Sequence, residues 1–145
     1  MPDWELFDDQ RFELRFRYPT VTPYGLAVTK LDYAVRDAQR IHVFSEGREV
    51  YVELTRYPSM PAQEEYGRHR PDLERRWSEL EISDLEETRF AGRAAHAYTF
   101  RWAEGERVAV LVRTEAALYR VLYNSRSELN AEILATFAFR ERRAR

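Results

Sequence analysis

The chain has 145 residues, 44% hydrophobic and 33% charged, and its 23 basic and 25 acidic side chains leave a formal net charge of −2. That length supports one core and a single domain, 1–145, and the near balance of charge argues against a surface built throughout for nucleic acid or anionic lipid. Cysteine is absent, which excludes disulfides, thiolate metal sites and a cysteine nucleophile.

At the N-terminus, "MPDWELFDDQ" carries acids where a secretory leader needs a basic segment followed by apolar residues. No later apolar run reaches the roughly 20 residues of a membrane-spanning helix. The expectation is a cytoplasmic protein without a membrane span, or an exported one if a leader has been trimmed. In "RFELRFRYP", Phe12, Leu14, Phe16 and Tyr18 alternate with Glu13, Arg15 and Arg17, the period-two pattern of a half-buried strand that Pro19 and Pro23 bring to an end. The segments "LAVTKLDYAVR", "RIHVFS" and "EVYVELTRY" are separated by "RDAQ" and "SEGR", which are short enough for hairpins, and they predict an antiparallel meander.

The period then changes. In "PSMPAQEEYGRHRPDLERRWSELE", Tyr66, Leu73, Trp77 and Leu80 fall at helical spacings, with Ser59 as a candidate N-cap. Gly67 and Pro71 predict a kink or two short helices, the clearer one over about 71–81. The segments "ISDLEETRF", "RAAHAYTFRW", "RVAVLVR" and "ALYRVLY", joined by turn-like connectors, predict a second meander in which Ala94, His96, Tyr98, Phe100 and Trp102 share a face toward the helices. Asn124 or Ser127 can cap a closing helix striped by Leu129, Ile133 and Leu134. Phe137 and Phe139 suit a short edge strand or a plug, and "RERRAR", about 140–145, reads as a solvated basic tail. Two meanders, a long helical connection and a closing helix define an α+β class, an antiparallel β-sheet covered by helices.

The local signatures of serine hydrolases, P-loop enzymes, dinucleotide binders and zincins are all absent, so function has to be sought in single residues. His42, His69 and His96 lie on two strands and at a helix entry, and no metal or cofactor is predicted from them. His69, flanked by Arg68 and Arg70, reads as a surface residue. His96 is the stronger candidate because it shares a face with Tyr98 and Trp102; it is either a core-edge histidine or a pocket wall or general base. The acidic pairs Asp8-Asp9, Glu64-Glu65 and Glu86-Glu87 consist of neighbours that point apart, and they read as solvated. Arg15 and Arg17 share an exposed strand face. Together with Arg101, Arg107 and Arg113 they raise a nucleic-acid reading that the net charge disfavours. Tyr51, Tyr57, Tyr119 and Tyr123 are candidates for an interaction patch on the sheet face that the helices leave free, or for the second side of the core. Lys30 is the sole lysine, an arginine bias that bears on ion pairing and stability first.

The order of these pieces resembles the PsbP-like superfamily of extrinsic photosystem subunits, through "FELRFRYP", Gly92 in "FAGRAAHAYTF", "YRVLYN" and the terminal "LNAEILATFAF". The resemblance implies an α/β/α sandwich, a fold shared with a nuclear import factor that binds the Ran GTPase and with many bacterial proteins of unknown function. It implies binding or scaffolding more than catalysis. The expectation is therefore a non-enzymatic domain that binds a protein partner or a small ligand through His96, Tyr98, Trp102, Tyr119, Tyr123, Arg15 and Arg17, with a homodimer also compatible. The alternative is an enzyme centred on His96.

Overall fold

The computed structural model describes residues 4–140. Alternating burial drives the strands: along β2 (Leu14–Pro19), Leu14, Phe16 and Tyr18 are buried while Arg15 and Arg17 face solvent. The short strand β1 (Trp4–Phe7), not anticipated from the sequence, pairs with β2, as does β11 (Ala138–Phe139), giving a three-stranded antiparallel sheet. The predicted terminal strand is thus present. Of the predicted basic tail, residues 141–145 lie outside the described residues.

The first meander is β3 (Val28–Val35), β4 (Ala38–Ser45) and β5 (Tyr51–Pro58). A second set follows: β6 (Glu81–Ile82), β7 (Glu86–Phe90), β8 (Arg93–Trp102), β9 (Gly105–Arg113) and β10 (Ala117–Tyr123). The two sets join through β5 and β10 into one antiparallel eight-stranded sheet, ordered β3-β4-β5-β10-β9-β8-β6, with β7 also paired to β8. Ala91 and Gly92 link β7 to β8 with φ of 51° and 81°, and two successive positive φ values are what a two-residue hairpin matched to strand twist requires. Being central, β10 is buried over nearly its whole length.

Two apolar clusters use opposite faces of this sheet. On one face, Ile41, Val43, Val52, Leu54, Val112, Tyr119 and Val121 meet the inner residues of the small sheet and Ile133 of α2 (Glu128–Ala135). On the other, Tyr98, Phe100, Leu111, Leu118 and Leu122 meet Tyr66 and Leu73 of α1 (Ala62–Arg76). The fold is α+β and mostly antiparallel strand. Among the described residues, no helix is long and apolar enough to cross a membrane.

The helical connection corrects the sequence reading. α1 is one continuous helix across Pro71, and it ends at Arg76, where Trp77 turns extended. The carbonyl that an N–H at 71 would have met belongs to Gly67, and Tyr66 and Leu73 bury themselves on the sheet on either side of the missing bond. Tertiary packing outweighs the local penalty. The residue capping α1 is Pro61 rather than Ser59, whose hydroxyl instead donates to the Thr114 carbonyl at 3.2 Å.

Candidate ligand cleft

α1 covers only part of its sheet face. Beyond its inner side, over β4 and β5, lies a cavity of about 1040 Å³ bounded by the helix, by the β3–β4 turn at 36–37 and by the 46–48 turn. Strand alternation decides what lines it. Ile41, Val43, Val52 and Leu54 point to the other core, so Arg40, His42, Phe44, Tyr51, Glu53 and Tyr57 point into the cleft.

Under the helix sits a buried ionic network. Arg120, in the middle of β10, is paired with Glu65 of α1 at 3.2 Å, with the two side chains only 5% and 4% exposed. The Tyr98 hydroxyl donates to both Glu65 oxygens at 3.1 and 3.2 Å and also lies against Nδ1 of His69. A hydroxyl has one proton to give, so Nδ1–H donates to the Tyr98 oxygen and Tyr98 donates to Glu65. This places a proton on Nδ1 of His69. Burial, followed by the charges of Arg120, Arg40 and Arg76, holds the His69 pKa down to about 2. The 3.6 Å approach of His69 to Glu65 is therefore not an ion pair. Burial raises the Glu65 and Tyr98 pKa values, and for Glu65 the neighbouring Arg120 and the Tyr98 hydrogen bond work against that rise. For Arg120, burial favours the neutral form but is outweighed by Tyr57, Glu65, Tyr98 and Glu53, and the group stays a cation.

A second set occupies the open half. Arg40 meets Glu53 at 3.3 Å and donates to Thr55, while the Tyr51 hydroxyl donates to Glu53 at 2.8 Å. The Arg107 guanidinium lies 4.2 Å from the centre of the Tyr51 ring and 5.1 Å from that of Trp102. Trp102 stacks in turn on Trp77 at 4.2 Å and 11°. A Cβ at Gly105 would come within 2.6 Å of Trp102, so glycine there lets the indole fold back over the β8–β9 hairpin. His42 packs edge-on to Tyr51 at 4.7 Å, its Nε2 buried without a hydrogen-bond partner, and desolvation lowers its pKa.

The residues predicted from the sequence are scattered by the fold. Tyr98 and Trp102 stand at this face. His96, on the same strand, pairs with Leu111 and Glu87 beyond the cleft, does not line the cavity, and makes no side-chain hydrogen bond among the described residues. Tyr119 and Tyr123 belong to the opposite core, where the Tyr119 hydroxyl accepts the Glu13 N–H at 2.8 Å. Tyr51 and Tyr57 are on the cleft face, so the four tyrosines do not form one patch. Arg15 and Arg17 are exposed on the small sheet, remote from the cleft. Three expectations are overturned. Glu65, read with Glu64 as solvated, is buried beneath α1, where it meets Arg120. His69 is mostly buried rather than a surface residue, because it follows Glu65 by one helical turn on the inner side of α1. Arg107 is buried, unlike the exposed Arg101 and Arg113 with which it was grouped.

Among the described residues, no group of three or more histidines and carboxylates is placed to hold a metal ion. The arrangement instead defines an antiparallel α+β domain with a charged, aromatic-walled cleft. The chain matches no protein-family model and no curated protein.

Proposed function

We propose that this chain is a non-enzymatic binding domain of the PsbP-like kind, an α/β/α sandwich that takes a small organic ligand in the cleft beside α1. Layering supports the fold reading: α1 lies on one face of the large sheet, with the small sheet and α2 on the other. The observation that carries the function is the cavity of about 1040 Å³, lined by aromatic rings and by ionisable groups fixed in their own network. Small-molecule sites are concave spaces of roughly 300–1000 Å³ that combine apolar walls with a few placed polar groups. Two-dimensional amide NMR with a fragment library tests it: binders should shift His42, Tyr51, Glu53 and the Trp102 indole N–H. A binder at about a hundred times its Kd should add about 2.7 kcal/mol to the unfolding free energy. Binders that map elsewhere, or a library that yields none, would remove the proposal.

A separate observation favours self-association. β3 is an open edge of the large sheet, and the exposed large hydrophobics include Val21, Tyr24, Leu26, Leu31 and Tyr33, on this strand and the loop before it. Two copies of β3 paired antiparallel about Leu31 would set each Lys30 opposite Asp32 of the other copy. Sedimentation equilibrium should then show a dimer, and Leu31→Asp, which puts like charges face to face on the axis, should give monomers. A chain that sediments as a monomer at all concentrations excludes this contact.

A further inference from the structure

We infer that the cleft selects a small amphiphilic anion, its acidic group taken by Arg107 and Arg48 at the Tyr51 ring and its apolar body lying along Trp77, Phe100 and Leu122. This rests on the cleft being a ligand site, and it adds the chemical class of the ligand.

Three arginines on the sheet reach the cleft wall, and they are not equivalent. Arg40 has Glu53 at 3.3 Å and Arg120 has Glu65 at 3.2 Å. Arg107 is only 5% exposed, yet among the described residues no carboxylate is in ion-pair contact with it. Of its five N–H donors, one is given to the Glu106 carbonyl at 2.9 Å, and its flat faces rest near Tyr51 and Trp102. A buried guanidinium with no counter-ion in contact is unfavourable and is relieved by an anion. Desolvation, the main influence on Arg107, pulls its pKa down against the opposing pull of Tyr51 and, more weakly, of Glu53, which agrees with an under-compensated cation.

The surroundings point the same way. Arg48, on the turn above, places its guanidinium 5.6 Å from the same Tyr51 ring, and among the described residues it too has no carboxylate in ion-pair contact. His42, whose buried Nε2 has no hydrogen-bond partner, packs edge-on against that same ring. The cavity lining has seven arginines against five carboxylates, although the whole chain is net negative, and the two innermost carboxylates are already held by Arg40 and Arg120. Glu46 and Asp37, the lining carboxylates with no ion pair among the described residues, are both exposed on turns, whereas Arg107 is buried. A concave space of about 1040 Å³ suits a single small molecule rather than a polymer, and Phe100, Leu122 and Trp77 supply apolar surface along it. Carboxylate, sulfonate and phosphate share the chemistry that two guanidinium groups recognise.

A matched naphthalene series separates the possibilities on the full chain: naphthoate, naphthyl phosphate, the neutral naphthamide and the cationic naphthylmethylamine, titrated by calorimetry and located by amide NMR. The acids should bind at the cleft about tenfold or more tightly than the amide, the loss typical of removing a charged hydrogen bond. The ratio of naphthoate to naphthyl phosphate tells which acid is preferred. Arg107→Met should abolish that advantage while sparing the amide, and Arg107→Lys should restore part of it. Should Arg107→Met fail to fold, Arg48→Ser, on an exposed turn, should still weaken the acids about threefold or more without changing the amide, the magnitude expected of one exposed charge contact. If amide and amine bind the cleft as well as the acids, the anion inference fails while the ligand cleft stands. If no member of the series shifts a cleft resonance, the cleft reading itself fails.

Discussion

Replacing Arg120 by leucine should lower the unfolding free energy by about 3–5 kcal/mol, measured by urea denaturation at neutral pH. The cost arises from what remains. Glu65 sits beneath α1 with its side chain 4% exposed, and without Arg120 only the Tyr98 hydroxyl and the neutral His69 face it. Its pKa, already raised by burial, loses the charge that restrains it, and the carboxyl is driven toward its neutral form. The double variant Arg120→Leu/Glu65→Leu should recover most of the loss, because removing both groups leaves no buried charge unpaired. A double variant as unstable as the single would show that Arg120 matters for packing and not as a counter-ion.

The second large effect is a pH dependence. His69 has a folded-state pKa of about 2 against an ordinary value of 6.5, so the native state stays neutral where the unfolded chain takes up a proton. The unfolded state then binds more protons between about pH 2 and about pH 6.5, and stability falls as the solution is acidified through that range. One such group contributes a slope approaching about 1.4 kcal/mol per pH unit. His42, also depressed by desolvation, adds the same sign. Glu65 opposes it: its folded pKa lies above the ordinary 4.5, so between those values the native state holds the extra proton and acidification relieves the carboxylate. His42 and Glu65 are common to the wild type and a His69 variant, so the difference between the two just below pH 6.5 isolates His69. His69→Gln keeps a donor for Tyr98 but cannot titrate, and it should flatten the curve there by about 1 kcal/mol over one unit. Equal slopes for the two proteins would mean that His69 is protonated in the native state.

Much of the architecture could be read from residue periodicity because the two faces of each strand meet different surroundings. "LRFRYP" shows this plainly, since its arginines are solvent-facing and its aromatics are core. β1 escaped notice: Trp4, Glu5, Leu6 and Phe7 have no strict alternation, and the strand exists by pairing with β2. The continuity of α1 was also hidden, since the rule against interior proline is local whereas the sheet that holds both halves of the helix is not. The site was legible only in fragments. Arg120 stands out as the one charge within "ALYRVLY", but its partner lies 55 residues away, across the helix–sheet interface. Nothing in "GRHRP" says that the middle residue turns inward until the phase of α1 against β8 is known. His96 drew attention by its face and not its height along the strand: Tyr98 is one pleat closer to α1, and that step separates a residue under the helix from one beyond it.

The solitary lysine has a practical meaning. Lys30 lies on the edge strand β3, its ammonium 5.8 Å from the centre of the Phe7 ring, on the sheet face opposite the cleft. It is the one side chain of this sequence that carries a primary amine. Coupling of a dye or a sensor surface through Lys30 would therefore hold the protein by the sheet face opposite the cleft, with the cleft turned to the solution, and a β3-paired dimer would shield that handle from the reagent.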